Sequence, residues 1–332
     1  MTNNSMKSGY KVFLDLQHRN VGNEGFISVD SVPFSEHHKI GVSLDGYPLF
    51  FVKCDNQSKS IDITLELISV LFSQECSIKE RENEFKDLYT IVILKTVNRD
   101  LQQYFTDVFS IILQQLDTVP TEVSLNREIR KVIDLFSTIN KPAVKSIQGL
   151  WAEMLVIEKS TNPEYLINAW HISPQDKYDF NDSIDKLEVK STTKSKRIHK
   201  FSIEQLSTNP SSRLLIASTF VIETGSGKSI LDLRDSITSR ITDLKLHLRL
   251  NQMIYKTMGN EYEKLSDIFF DYNLASDALS FYNVNSIPSI HNNSIPSQIS
   301  NVVFDCDLSN SPSVIDEDFD LGNSLLFQSL GI

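Results

Sequence analysis

Residues 149–157, Gly-Leu-Trp-Ala-Glu-Met-Leu-Val-Ile, are apolar at every position but one. At the helical period such a stretch has no polar face, so it predicts a helix buried inside a sizeable core. The exception is Glu153, whose neighbours three and four residues away include Leu150, Val156 and Ile157. A carboxylate on that surface cannot escape to water. It needs a partner, either a metal ion or a buried cation, and a structural ion pair is one form this can take.

The rest of the chain must supply that core. At 332 residues it is long enough for about two domains. Residues 10–16 and 61–67 alternate apolar and polar side chains, and 89–95 is a short β-branched run, which together predict a small N-terminal sheet. Asp45-Gly46 between two apolar runs predicts a hairpin turn. From residue 98 to 116 the period changes: Leu101, Tyr104, Phe105, Val108, Ile112 and Leu116 recur at helical steps. Further helices are predicted over 125–139 and 143–159, the latter after the break Asn140-Lys141-Pro142.

Beyond that helix the pattern is strand-rich. Residues 178–180, 186–191, 200–203 and 214–222 read as strands, the first two joined by Asn181-Asp182-Ser183. Ser229 reads as the cap of a helix that Leu233, Ile237, Ile241, Leu244 and Leu248 continue. Residues 285–297 suggest an irregular loop and 302–307 a last strand. The predicted organisation is a β-rich domain over 1–97, a helical connector over 98–142, an α/β core over 143–255, an extension over 256–308 and a weakly ordered acidic tail over 309–332.

Within the α/β core, Asp179 precedes Glu188-Val189-Lys190 by a tight turn. Side chains alternate along a strand, so Glu188 and Lys190 share a face while Val189 points the other way. Two carboxylates and an ammonium at one sheet rim suit metal-assisted phosphodiester hydrolysis. Asp179 and Glu188, with the Val189 carbonyl, offer the hard oxygen donors that Mg²⁺ prefers at about 2.0–2.1 Å. Such an ion acidifies water and neutralises charge on phosphate. Lys190 would orient the attacking water and stabilise the transition state. An Asp…Glu-x-Lys spacing alone also describes an exposed strand face carrying an ordinary ion pair. Residues 186–200 add a basic run, six Lys or Arg against Glu188 alone, which fits a polyanionic substrate as well as a solvated loop.

Four segments together carry a family resemblance: GLWAEM (149–154), Tyr-Asp-Phe (178–180), Leu-Glu-Val-Lys-Ser (187–191) and His-Lys-Phe-Ser-Ile-Glu-Gln-Leu (199–206). They resemble a bacterial PD-(D/E)XK family within the restriction-endonuclease-like nuclease superfamily, convincingly over 143–250. Phe281-Tyr282-Asn283-Val284 with Ile287-Pro288, then Val302-Val303-Phe304, is similar to its C-terminal pattern.

The resemblance implies an α/β (α+β) fold with an α-β-β-β-α-β core. It maps Asp179, Glu188 and Lys190 onto the metal-binding and catalytic positions. Glu153 falls at the acidic position of the first core helix, and Gln205 where some branches carry a helical Gln. Tyr178 replaces the Pro of the motif's name, a common exchange. The implied activity is Mg²⁺-dependent DNA cleavage, with Mn²⁺ as a substitute, in restriction or phage defence. Lys194, Lys196, Arg197, His199, Lys200 and Gln205 are the candidate DNA contacts. Implied partners are DNA, an ATPase, helicase or methyltransferase of a defence operon, and a second copy of the chain. A catalytically silent or partner-dependent scaffold of the same fold is the alternative.

Two decoys are set aside. Thr224-Gly225-Ser226-Gly227-Lys228-Ser229 invites a phosphate-loop reading, but Ile222 stands where that loop needs glycine. The seven histidines form no zinc-ligand spacing. Cys54, Cys76 and Cys306, at unrelated spacings, predict neither disulfides nor zinc, and fit reduced cytosol. The polar N-terminus shows no secretory signal, and the apolar run 214–222 is far short of the roughly 20 residues of a membrane span.

The formal net charge of −11 argues at first against a nucleic-acid binder. Residues 265–332, however, hold nine acidic side chains and no Lys or Arg, so the acidity is mainly a C-terminal property. It predicts weak intrinsic DNA affinity rather than none.

Overall fold

The computed structural model describes residues 9–19, 27–55, 60–80, 83–171, 176–207, 212–290, 295–296, 298–317 and 319–332. The expected loop over 285–297 lies partly outside these residues, as do His291 and the first eight residues. Two compact units divide the chain, residues 1–138 and 139–332.

The first unit contains α1 (Gly9–Arg19), β1 (Ser28–Val32), β2 (Ser35–Val42), β3 (Pro48–Val52), β4 (Ile63–Thr64), β5 (Ile68–Glu80), β6 (Asn83–Leu94), α2 (Arg99–Gln115) and α3 (Glu122–Ser137). Its antiparallel sheet runs β1-β2-β3-β6-β5-β4. Gly46 turns the β2–β3 hairpin at φ +81°, as Asp45-Gly46 predicts. Asn98 caps α2 by accepting from the Leu101 amide at 3.0 Å. Phe50 of the sheet meets Phe105 and Phe109 of α2, with ring centroids 5.7 and 4.8 Å away, and Phe136 of α3 closes on Phe105. The helices read as a connector thus belong to this unit's core.

Two expectations fail here. Residues 10–16 form a helix, because the buried set Gly9, Val12, Phe13 and Leu16 recurs at three- and four-residue steps. Over 61–67 only β4 is strand, with Ile61 87% exposed and so without the burial an alternating pattern requires.

The second unit contains α4 (Ile147–Lys159), α5 (Pro163–Ala169), β7 (Phe180–Asn181), β8 (Asp185–Thr192), β9 (Ile198–Ser202), α6 (Ile203–Leu206), β10 (Arg213–Phe220), β11 (Glu223–Thr224), α7 (Ile230–Thr238) and α8 (Leu244–Met258). It continues with α9 (Lys264–Asp267), β12 (Phe269–Phe270), α10 (Tyr272–Asp277), β13 (Ser280–Asn283), β14 (Val303–Asp307) and α11 (Leu325–Ser329). The mixed sheet runs β13-β10-β8-β7, with β8 and β10 parallel and both outer pairs antiparallel. β9 pairs with β14 in a separate ribbon. This is a mixed α/β (α+β) fold, the class expected from the sequence.

α4 is the helix the sequence demands. Ser146 caps it through the Gly149 amide at 3.1 Å, and every residue from Leu150 to Ile157 is buried. Each large apolar side chain so buried contributes about 1.5–3 kcal/mol. α4 packs on β8 and α7, which fixes Glu153 beside the strand that carries Glu188.

Three expectations about the C-terminal half need correction. The helix after Ser229 is two helices, because the turn around Arg240 separates α7 from α8. The residues read as an extension complete the core sheet, since β13 pairs with β10 at Ile216 and Tyr282. The acidic tail is docked: Leu326, Phe327 and Leu330 are buried, and Arg213 stacks over Phe327 at 4.9 Å. The same guanidinium holds Asp185 bidentately at 2.8 and 2.9 Å and donates to the Asp320 and Leu321 carbonyls. A few apolar anchors outweigh the charged composition there, because Asp316, Glu317 and Asp320 face solvent. Among the described residues, no helix is long and apolar enough to cross a membrane. Cys54, Cys76 and Cys306 form no disulfide with one another.

The end of α8 clamps the segment that leads into α4. The Asn260 amide donates to the Lys141 carbonyl at 2.8 Å, and the Val144 amide to the Thr257 carbonyl at 2.8 Å. Gly259, at φ +48°, allows this approach; a Cβ there would sit 2.0 Å from the Lys141 oxygen. Gly259→Ala is therefore expected to cost about 2 kcal/mol or more through backbone strain and collision. For a unit of this size that lowers the melting temperature by roughly 4–8 °C, readable by circular dichroism. An unchanged melting temperature would contradict the clamp.

Candidate functional site

Three elements of the second unit and one turn bring their groups together. α4 brings Glu153, the turn before β7 brings Asp179, β8 brings Glu188 and Lys190, and α6 brings Gln205. The carboxylates are almost fully buried, with Glu153 3%, Glu188 5% and Asp179 9% exposed.

Hydrogen bonds join them into two sets, Glu153–Lys145–Asp179 and Lys190–Glu188–Gln205, which meet where Asp179 bonds the backbone next to Glu188. Asp179 Oδ2 accepts from the Val189 amide at 2.8 Å, which ties the turn to β8. Glu153 Oε2 accepts from Trp170 Nε1 at 2.7 Å. The remaining oxygens, Glu153 Oε1 and Asp179 Oδ1, both meet the ammonium of Lys145, the former at 2.6 Å. Glu188 Oε1 accepts from Lys190 Nζ at 2.7 Å and from Gln205 Nε2 at 2.8 Å. Gln205 Oε1 in turn lies 3.5 Å from Lys190 Nζ and accepts from the Ser202 amide as part of a capping box. The Lys190 ammonium sits over the Phe201 ring at 5.2 Å.

Electrostatics follow from crowding. Burial, reinforced by the Asp179 charge, raises Glu153 well above the usual carboxylate range. The same two causes push Glu188 up to about 7, opposed by Lys190. For Lys145, burial disfavours the charge, but Asp179 and Glu153 outweigh it and hold the amine above its ordinary value. Burial, with Glu188 adding, pushes the Tyr178 phenol up to about 12.

Among the described residues, no three His, Cys, Asp or Glu side chains form a ready metal-binding group. The donor chemistry nonetheless fits a hard divalent cation. The oxygens of Asp179, Glu188 and Glu153 are of the type Mg²⁺ takes. Their mutual repulsion is relieved by positive charge, and Lys145 already supplies one such charge at Asp179 and Glu153.

Of the residues singled out in the sequence, Glu153, Asp179, Glu188, Val189, Lys190 and Gln205 come together. The basic run does not stay together. Lys194, Lys196 and Lys200 are exposed, Lys196 lying 3.9 Å from Asp307. Arg197 donates to the Ser218 carbonyl at 2.8 Å and to Ser280 Oγ at 3.3 Å, and its guanidinium lies over Phe220 and Tyr282. It fastens β10 to β13, which leaves a DNA-contact role without support. His199 is 3% exposed and bonded to Ser218 Oγ at 2.7 Å, so a surface contact is contradicted. Strand alternation explains this: His199 and Phe201 face inward in β9 and Lys200 faces out. Lys200 and Gln205 instead share a cleft of about 710 Å³ with Lys177, Phe201 and Glu204.

Lys145 was missed. It lies just before the Ser146 cap, eight residues ahead of Glu153, in a segment without periodicity. The demand of Glu153 for a buried cation was readable, but not which cation meets it.

The Thr224–Ser229 loop is committed elsewhere. The Lys228 amide donates to the Phe270 carbonyl at 3.1 Å, and Ser229 and Asp232 form the α7 capping box. The Lys228 and Ser229 amides are thus spent within the fold.

A family model described as "Putative PD-(D/E)XK family member, (DUF4420)" matches residues 19–309. No curated protein and no solved structure gives a match.

Burial, with Lys190 and Arg197 adding, lowers His199 to about 4. A histidine depressed in the fold contributes stability above its unfolded value near 6.5, and that contribution is lost as pH falls from about 6.5 to 4. His199→Gln is therefore expected to flatten the acid limb of thermal stability across that window. An unchanged slope would contradict a neutral, buried His199.

Proposed function

The chain belongs to this PD-(D/E)XK family, and on that premise we propose that it is a Mg²⁺-dependent nuclease that hydrolyses phosphodiester bonds of DNA. The observation that carries the reading is the buried cluster of Asp179, Glu188 and Lys190 with Glu153 behind it. Asp179, Glu188 and the Val189 carbonyl would hold the cation, with Mn²⁺ as a substitute. When bound, it would supply Lewis acidity and an acidified water.

The chain's own groups then have distinct work. The Val189 amide fixes one Asp179 oxygen so that the other faces the cluster. Gln205 and Lys190 hold Glu188 Oε1 from two sides, which sets its rotamer. The Lys190 ammonium, 18% exposed at its side chain, is the group that reaches substrate. It orients water and stabilises charge that grows on the phosphate in the transition state. Lys194, Lys196 and Lys200 lie exposed for the flanking phosphates.

The role follows from the chemistry and the family's setting: defence against foreign DNA in the cytoplasm, alongside an ATPase, helicase or methyltransferase, or as a homodimer. A partner-dependent or silent scaffold is the second reading. It is favoured by one observation, the Lys145 ammonium on Asp179 and Glu153.

Plasmid cleavage tests the first reading. Mg²⁺ should support nicking or linearisation and EDTA should abolish it. Asp179→Ala, Glu188→Ala and Lys190→Ala should each lower the rate at least about a hundredfold. Full activity in these variants would remove the site, and metal binding without cleavage would favour the scaffold. With three exposed lysines in the basic run, few phosphates are neutralised. The isolated monomer should bind duplex DNA no more tightly than about 1 μM at physiological salt. Sub-micromolar binding in a fluorescence-anisotropy titration would overturn the requirement for a partner or an oligomer.

A further inference from the structure

Glu153 and Asp179 are each tied by one oxygen to a rigid donor, Trp170 Nε1 and the Val189 amide, at 2.7 and 2.8 Å. Each therefore presents its other oxygen in a fixed direction. Those two oxygens, Glu153 Oε1 and Asp179 Oδ1, converge on a single point, and the Lys145 ammonium fills it. The carboxylates sit on α4 and against β8, whereas Lys145 comes from the irregular segment before α4. Its side chain is 25% exposed, against 4% and 11% for its two partners. A lysine has a flexible four-carbon stem and a strongly hydrated head, so it can withdraw to water while the acids cannot.

We propose that Lys145 is a built-in competitor for the cation position, bridging Glu153 and Asp179 until a divalent ion displaces it from Asp179. This rests on the metal-dependent reading of the same cluster. Two cations cannot share Asp179 Oδ1 at contact distance without strong repulsion. The metal-free state with Lys145 seated is stable, because removing the ammonium would leave buried acids uncompensated. Only the fraction of molecules with Lys145 withdrawn is competent for metal, so the apparent affinity is reduced by that fraction. The device keeps the centre intact and idle at low metal concentration.

The test is calorimetric titration of the full chain with Mn²⁺ alone. Lys145→Gln should bind at least about tenfold more tightly than the wild type, because the competitor is gone. Its metal-free melting temperature should fall, and Mn²⁺ should raise it by more than it raises the wild type. Wild-type binding with equal or weaker binding in Lys145→Gln would overturn the competitor while leaving the metal site standing. Absence of Mn²⁺ binding in both proteins would overturn both.

A second measurement needs no variant. Amine acetylation of the wild type, read by mass spectrometry, should rise severalfold at Lys145 on adding Mn²⁺ and stay constant at exposed Lys194. Unchanged or reduced labelling of Lys145 would show that the ion does not displace it.

Discussion

Carboxylates buried side by side cannot all stay ionised unless positive charge stands among them. Glu153, Asp179 and Glu188 are such a set, and much of the second unit answers that constraint. Lys145 serves Glu153 and Asp179, while Lys190 serves Glu188 with Gln205 as a neutral donor. A fold that sought only stability would place apolar residues here, since a buried ion cluster is weak as a stabilising device. Its retention in the core is the physical argument for chemistry.

The scaffold makes the constraint bearable by spreading it over rigid elements. α4 is apolar on all sides, so its axis and the direction of Glu153 are set by packing. β8 lies between β7 and β10, and the Val189 amide reaches out to Asp179 rather than leaving that acid to its turn. Segments distant in sequence close the same sheet. β13 flanks β10, and Arg213 holds Asp185 of β8 together with the docked tail. The acidity of the C-terminal residues is thus carried on an integral part of the unit.

How much of this was legible varied with the physics. The α4 helix, the Asp179-to-Lys190 spacing and the β2–β3 hairpin are local patterns, and the chain declares them directly. Glu153 announced a need for a cation, because nothing local could satisfy it. Lys145 stayed hidden, since its place depends on the clamp between Gly259 and Lys141, more than a hundred residues apart. The basic run misled for another reason: charge counts ignore facing. His199 and Arg197 turn inward, where hydrogen bonds and aromatic faces hold them. The short apolar pattern at residues 10–16 fits both periods, and burial on one helical face decided it.

The proposed function requires that this cluster bind a divalent ion between Asp179 and Glu188. The most direct measurement is an anomalous-difference map from crystals grown with Mn²⁺, collected near the manganese edge. Metal binding as proposed gives a peak bounded by those two carboxylates, with the Lys145 ammonium moved off Asp179. A map with no peak there, and with Lys145 still bridging Glu153 and Asp179 at saturating Mn²⁺, would contradict it.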